Sequence, residues 1–207
     1  MRLLFVCTAN QCRSPMAGAL MRRRLAQRGA PVAVATAGFG AAGQAAPPEV
    51  VDAMAAVGID LNNHRSRRLD AGLLGAADLV VTMTRQQLVE TTGVDAGAWA
   101  RSFTFRELLG RALPVGPRDP AEPLDRWIRL LGMGRTGAGV LALPLADDVA
   151  DPMARHRRRD FERTRDELDA LTSRLAELLW PAPGPAPGPA PGPFIVGWRS
   201  RSSRWRC

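Results

Sequence analysis

Cys7 and Arg13 stand six residues apart near the start of the chain, in the stretch Val6-Cys7-Thr8-Ala9-Asn10-Gln11-Cys12-Arg13-Ser14-Pro15. A cysteine attacks as its thiolate, so a site that uses one must depress a thiol pKa that otherwise keeps it protonated at neutral pH. Three features of this stretch serve that end. Consecutive backbone N–H groups can curl into an anion-binding nest. A helix that follows points its positive end at the same place. Arg13 adds a full positive charge. An environment that stabilises a thiolate also binds a phosphate-like dianion, and the guanidinium fork grips two of its oxygens. Ser14 can donate to the sulfur and steady it as a leaving group. A bare Cys-x5-Arg spacing is common by chance, and a buried strand-end cysteine is a frequent structural element. The elements around the pair therefore decide whether it does chemistry.

Those elements read as strand, loop and helix. Residues 2–7 form an apolar run that ends at Cys7. Residues 14–28 carry Met16, Leu20 and Leu25 at helical spacing, with Ser14 as the expected N-cap and Pro15 in the first turn. Further on, 31–36 reads as a second strand, and Pro47-Pro48 opens a helix that stops at Gly58. Residues 77–83 form a third strand of the kind buried on both faces, 85–90 a short helix, and 101–105 a fourth strand. The last regular element is an amphipathic helix from Asp160 to Trp180. Alternating strands and helices predict an α/β fold with a central four-stranded parallel sheet and helices on both faces. In such sheets ligands bind beyond the carboxyl ends of the strands, where Cys7 falls. Residues 110–146 are broken by Pro114, Pro117, Pro120 and Pro123 and read as a candidate insertion. Within it Gly132-x-Gly134-x-x-Gly137 lacks a preceding strand, so a dinucleotide site is rejected.

A chain of 207 residues predicts one domain, 1–180, followed by a Pro/Gly-rich linker and Arg/Trp tail over 181–207 that is expected to be disordered. All 28 basic residues are Arg and Tyr is absent, which reads as coding bias. The net charge of +8 draws four of its charges from the tail, so no nucleic-acid partner is expected. The basic run 155–159 reads as a solvated helix entry, with contact to acidic substrates as the competing reading. Three cysteines, Cys7, Cys12 and Cys207, are too few for a disulfide framework and lack zinc spacing. Without an export signal or an eighteen-residue apolar run, the expectation is a cytoplasmic protein without membrane contact. No metal and no cofactor are expected.

The stretch Val6 to Pro15 resembles the signature of the low-molecular-weight protein tyrosine phosphatases, Cys12 included. The likeness continues in Thr36-Ala37-Gly38, in Gly58-Ile59-Asp60 with His64 and Arg67, in Ala77 to Met83, and in Asp151-Pro152 before the last helix. It covers 1–109 and 147–180 and implies a flavodoxin-like phosphatase fold. It further implies that Cys7 is the nucleophile of a phosphocysteine intermediate, that Arg13 binds the phosphoryl oxygens, and that Asp151 is the general acid and then the base. Residues Thr8, Ala9, Asn10, Gln11, Cys12, Arg13 and Ser14 would be the phosphate-binding loop. Asn10, Ser14 and His64 would support it, and Cys12 would be a redox partner of Cys7. Asp147 and Asp148 are competing choices for the acid.

Ala9 stands where the family often has Gly, Thr84 where Asp is common, and Met153 and Ala154 where aromatic residues are usual. Phe39 is the expected substitute for the missing aromatic wall. The implied substrate is a phosphotyrosine protein or a small aryl phosphate, with inorganic phosphate as product. Two alternatives stay open: a small-thiol-dependent arsenate reductase on the same scaffold, and a non-catalytic phosphate- or phosphoprotein-binding module.

Overall fold

The apolar run after Met1 forms the strand on which the molecule is built. In the computed structural model, which describes residues 1–154 and 157–181, β1 is Arg2–Cys7, β2 Ala33–Gly38, β3 Leu79–Thr82 and β4 Ser102–Thr104. The sheet order is β2-β1-β3-β4 and every pairing is parallel. Cys7 lies opposite Gly38, and Val6 opposite Thr82. All four residues of β3 are buried, as a continuous apolar run in a covered parallel sheet requires.

Side chains alternate across β1, so its two faces have separate partners. Leu3 and Phe5 join a core with α1 (Arg13–Gln27), α2 (Pro48–Ala55), α5 (Phe105–Val115) and α8 (Arg158–Leu179). Leu4 and Val6 pack with Leu69, Leu74 of α3 (Ala71–Gly75) and Ala98 of the 3₁₀ turn Ala96–Arg101. Phe5, Phe103, Phe105 and Phe161 are fully buried. Burial of each such side chain contributes about 1.5–3 kcal/mol. On α8, Leu168, Leu175 and Leu179 are buried, and Asp169 pairs with Arg24 of α1 at 2.6 Å. The last helix is thereby fastened to the first.

Several boundaries differ from the sequence expectation for physical reasons. Helix α1 begins at Arg13, not Ser14, and its N-cap, Cys12, makes no side-chain capping bond. Ser14 lies inside the helix, so the expected Ser14 N-cap is absent. Strand β2 starts at Ala33, where pairing with Arg2 of β1 begins, and runs to Gly38. Helix α4 is Arg85–Val94, opened by a capping box between Thr84 and Gln87.

Helix α5 continues past Pro114, a residue expected to break it. The proline sits in the last turn, and Gly116, at φ 83°, ends the helix just beyond it. Helix α6 (Leu124–Gly132) puts Trp127, Ile128 and Leu131 into the main core, and α7 is Gly137–Leu141. The tail from 182 onward, with Cys207, lies outside the described residues, as do Arg155 and His156 of the basic run. Among the described residues no helix is long and apolar enough to cross a membrane.

One arginine ties the segment after α6 to the sheet. Arg135 donates from Nε to Glu107 Oε1 at 2.6 Å and from a terminal nitrogen to Oε2 at 3.1 Å. Both side chains are almost wholly buried, and the guanidinium lies 3.7 Å from the Trp99 ring centroid and 4.4 Å from that of Phe103. Removing Arg135 leaves the buried Glu107 carboxylate with Arg111 Nε, 3.1 Å away, as its remaining cation. Arg135→Ala is expected to lower unfolding stability by about 1.5–3 kcal/mol in urea titrations, the value of charged hydrogen bonds lost. Arg158→Ala, which removes an exposed i,i+4 pair with Glu162, should leave the midpoint unchanged.

Candidate active site

The loop between β1 and α1 is held from three directions. Thr8 O accepts from the N–H groups of Phe39 at 2.7 Å and Gly40 at 3.0 Å. Asn10, at φ 54°, is the one non-glycine among the described residues in the left-handed region, which asparagine tolerates better than most. Its side chain is buried and bonded at both ends: Nδ2 donates to Ser14 Oγ at 2.8 Å, and Oδ1 accepts from Arg67 N at 2.8 Å. Its carbonyl lies 2.7 Å from His64 Nε2. A carbonyl only accepts, so Nε2 is the protonated ring nitrogen. Ala9 keeps a negative φ, so no glycine is needed there. The glycine requirement falls instead on Gly38, where a Cβ would meet Asn10 N at 2.6 Å and Cys7 O at 2.7 Å.

Among the described residues, the N–H groups of Ala9, Asn10, Gln11, Cys12 and Arg13 have no hydrogen-bond acceptor. Buried backbone donors without partners are rare and costly, and an incoming oxyanion satisfies several at once. The cavity beside them is about 170 Å³ and is lined by Cys7, Thr8, Ala9, Gln11, Cys12, Arg13, Asp151 and Met153. It thus brings together residues 7–13 and Asp151 from the far end of the chain.

Cys7 Sγ is 3.0 Å from Ser14 Oγ. With Cys7 as a thiolate that bond must run from the hydroxyl to the sulfur. Arg13, 4 % exposed, donates to Val149 O at 3.1 Å, to Thr8 Oγ1 at 3.3 Å and to Asp151 Oδ2 at 2.6 Å. Asp151 Oδ1 accepts from Met153 N at 3.1 Å, which fixes the carboxylate at the cavity mouth. The competing acids are elsewhere. Asp148 is bound by Arg85, and Asp147 lines a different cavity with Glu107 and Val140. Phe39, the expected aromatic wall, packs instead against the Leu4 and Val6 face of the sheet and does not line the cavity. Among the described residues no group of three His, Cys, Asp or Glu side chains is placed to hold a metal ion.

Gln87 was not singled out by the sequence. Its Oε1 accepts from Met83 N at 3.0 Å and Thr84 N at 3.2 Å, while Nε2 donates to Thr8 Oγ1 at 3.0 Å. Thr8 Oγ1 therefore accepts from both Gln87 and Arg13, and its own proton is free to turn toward a ligand. The Thr84-x-x-Gln87 spacing was legible as a helix start, but its link to the loop crosses 79 residues.

The sequence pattern of the family described as "Low molecular weight phosphotyrosine protein phosphatase" matches residues 2–113. The chain belongs to this family. It is 44% identical over 89 residues to "Probable low molecular weight protein-tyrosine-phosphatase EpsP" of Ralstonia nicotianae, which covers 42% of the chain and 59% of the relative. It is 40% identical over 81 residues to an arsenate reductase 2 of Staphylococcus haemolyticus, covering 39% of the chain and 58% of that protein. The chain thus spans under two thirds of the length of these curated relatives. Among solved structures it is similar to the YwlE arginine phosphatase, solved as a cysteine-to-serine mutant with a phosphorylated active-site serine. The identity is 30% with a TM-score of 0.65, over 86% of this chain and 94% of that one.

In this low-molecular-weight phosphatase family member, the second loop cysteine differs sharply from an exposed thiol. Burial pushes the Cys12 pKa far above the usual thiol range, and the negative charges of Cys7 and Asp151 push the same way against Arg13. The folded protein therefore keeps the Cys12 proton at pH values where the unfolded chain loses it. Its contribution to stability is complete below the ordinary thiol pKa of about 8.5 and is lost as pH rises above it toward the folded value. Urea midpoints from pH 8 to 10.5 should fall more steeply in the wild type than in Cys12→Ala. A second expectation concerns Gly38. Gly38→Ala should push the loop off β2 and weaken inorganic phosphate binding by at least about tenfold, the loss that 1.4 kcal/mol of misfit produces, with the sheet still folded by circular dichroism.

Proposed function

We propose that the protein is a phosphomonoester hydrolase, and specifically a protein tyrosine phosphatase that works through a phosphocysteine on Cys7. The observation that supports this best is the shared cavity in which Cys7, Arg13 and Asp151 meet, with Asp151 2.6 Å from the arginine that would hold the phosphoryl group. In the first step the Cys7 thiolate forms the S–P bond as the ester P–O bond breaks, and Asp151 passes its proton to the departing oxygen. In the second, Asp151 takes a proton from water, the water oxygen attacks phosphorus, and the S–P bond breaks. The electron pair returns to sulfur, where Ser14 donates a hydrogen bond. Arg13 and the unpartnered N–H groups hold the equatorial oxygens, so the protein contributes mainly position and charge.

The ion pair gives this reaction an entry condition. Asp151 Oδ2 lies 2.6 Å from the Arg13 guanidinium. A substrate dianion competes for the same guanidinium fork and frees the Asp151 side chain to turn toward the leaving oxygen. Substrate arrival and release of the acid are one event.

The same reading assigns catalysis to residues 1–180, without metal or cofactor, and treats 181–207 as an appendage. It places the protein in the cytoplasm, acting on phosphotyrosine proteins or aryl phosphates and releasing inorganic phosphate. Cys12 would protect Cys7 by a reversible disulfide. The arsenate reductase relative supports a second reading, turnover of arsenate with a small thiol. The arginine phosphatase neighbour adds phosphoarginine protein as a third substrate to try.

The test is hydrolysis of an aryl phosphate without added metal. Cys7→Ser should show no turnover. Asp151→Asn should lose about 10²–10⁴-fold, least with a good leaving group. A fully active Cys7→Ser protein would sink the mechanism. Parallel assays with arsenate plus small thiol and with phosphoarginine protein rank the three activities, and binding of phosphoprotein without any turnover would mark a binding module.

A further inference from the structure

We infer that Arg85 is a positioning residue for the general acid, acting through Asp148 and Val149 on the segment that carries Asp151. The inference rests on the phosphatase reading and extends it to a residue outside the cavity.

Arg85 is the first residue of α4, immediately after the β3–α4 turn, and its side chain is 11 % exposed. Its backbone N–H donates to Asp148 Oδ1 at 2.9 Å, which sets that carboxylate on the positive end of a ten-residue helix. Its guanidinium donates to Asp148 Oδ2 at 3.5 Å, to Leu141 O at 3.1 Å and, closely, to Leu143 O. Nε lies 3.5 Å from Asp148 Oδ1, an ion-pair distance without hydrogen-bond geometry. One side chain thus grips the segment at three places between 141 and 148.

The next residue completes the fastening. Val149 is buried; its N–H donates to Met83 O at 2.8 Å and its carbonyl accepts from Arg13 at 3.1 Å. Asp151 follows two residues later.

The segment has little else to hold it. Leu141 and Leu145 are 58% and 81% exposed, so apolar packing between Val140 and Val149 is thin. Beside it lies a cleft of about 640 Å³, lined by Glu90, Arg106, Arg163, Asp148 and Val149 together with Asp151. Thr8, Arg13 and Asp151 line both this cleft and the smaller cavity. The acid-bearing segment therefore borders open space, and segments with few buried contacts open at low free energy. A general acid must sit within hydrogen-bond reach of the leaving oxygen, and a displacement of about 1 Å can cost roughly 10²-fold. A polar latch at the base of the segment answers that need.

The experiment compares kcat/KM for phenyl phosphate, a poor leaving group, with that for 4-nitrophenyl phosphate, a good one. Arg85→Ala is expected to lose about 10–100-fold on phenyl phosphate and less than about threefold on 4-nitrophenyl phosphate. The inhibition constant of inorganic phosphate should stay within about twofold, because Arg85 itself bonds to Leu141, Leu143 and Asp148 and to no residue of the loop. Arg85→Lys should recover part of the loss, and Asp148→Asn should reproduce its leaving-group bias. Arg85→Ala combined with Asp151→Asn should be no worse than Asp151→Asn alone.

Equal losses on both substrates, no loss on either, or additivity in the double variant would overturn the inference. Should Arg85→Ala fail to fold, Asp148→Asn decides by the same criterion. Asp151→Asn is the reference: if it shows no leaving-group bias, the assignment of the acid fails. If it shows the bias and the Arg85 and Asp148 variants do not, only the latch fails.

Discussion

A guanidinium buried at the end of an apolar strand is the constraint from which the rest of the molecule follows. Arg13 is 4 % exposed, and a buried cation is tolerable only when paired and hydrogen-bonded. Local sequence supplies only Thr8. The carboxylate and the carbonyl that complete the set come from Asp151 and Val149, more than 130 residues away. Bringing them there requires β3 to end beside β1, so that Met83 can accept from Val149. It also requires α8 to return across α1. Fold and site are in this sense one solution: the sheet places the charge, and the remainder of the chain supplies its counter-charge.

What the sequence made legible was mostly local. An apolar run ending at Cys7, an arginine six residues on and the serine and proline before a helical stripe all lie close together. Their chemistry follows from type and spacing. The four strands were legible for the same reason, as short apolar runs between turn residues. Ser14 was misread because a serine before Pro15 has the form of an N-cap, whereas its hydroxyl serves Cys7 and Asn10. Pro114 was misread because a proline in a last helical turn looks like one that precedes a break. Phe39 failed as a wall because its ring, one residue past β2, packs with Leu4 and Val6 and does not line the cavity.

The contributions that stayed invisible are long-range and polar. Gln87 reaches Thr8, and Arg135 reaches Glu107 and Trp99, through contacts that leave no periodic trace. Gly38 was visible as a residue, but its reason, the close approach of the loop backbone, exists only in three dimensions. The stretch 110–146 read as a candidate insertion, broken by its prolines. Its Trp127, Ile128 and Leu131 nevertheless belong to the main core. At the rim, Met153 lines the cavity, and among the described residues no aromatic ring does. A thioether with three rotatable bonds adapts to more shapes than a fixed ring wall and imposes less stacking geometry on what it meets.

The two halves of the site also set a schedule for the making of the protein. The cradle is complete by residue 15, yet α8, the helix that packs on its supporting α1, ends only at Leu179. A chain emerging from the ribosome in order therefore displays the thiol long before its opposing carboxylate and its last structural brace. Dominance of such distant contacts slows folding and makes completion cooperative. Cys7 is made well before Asp151, and the braced site comes together only once the chain through Leu179 is free.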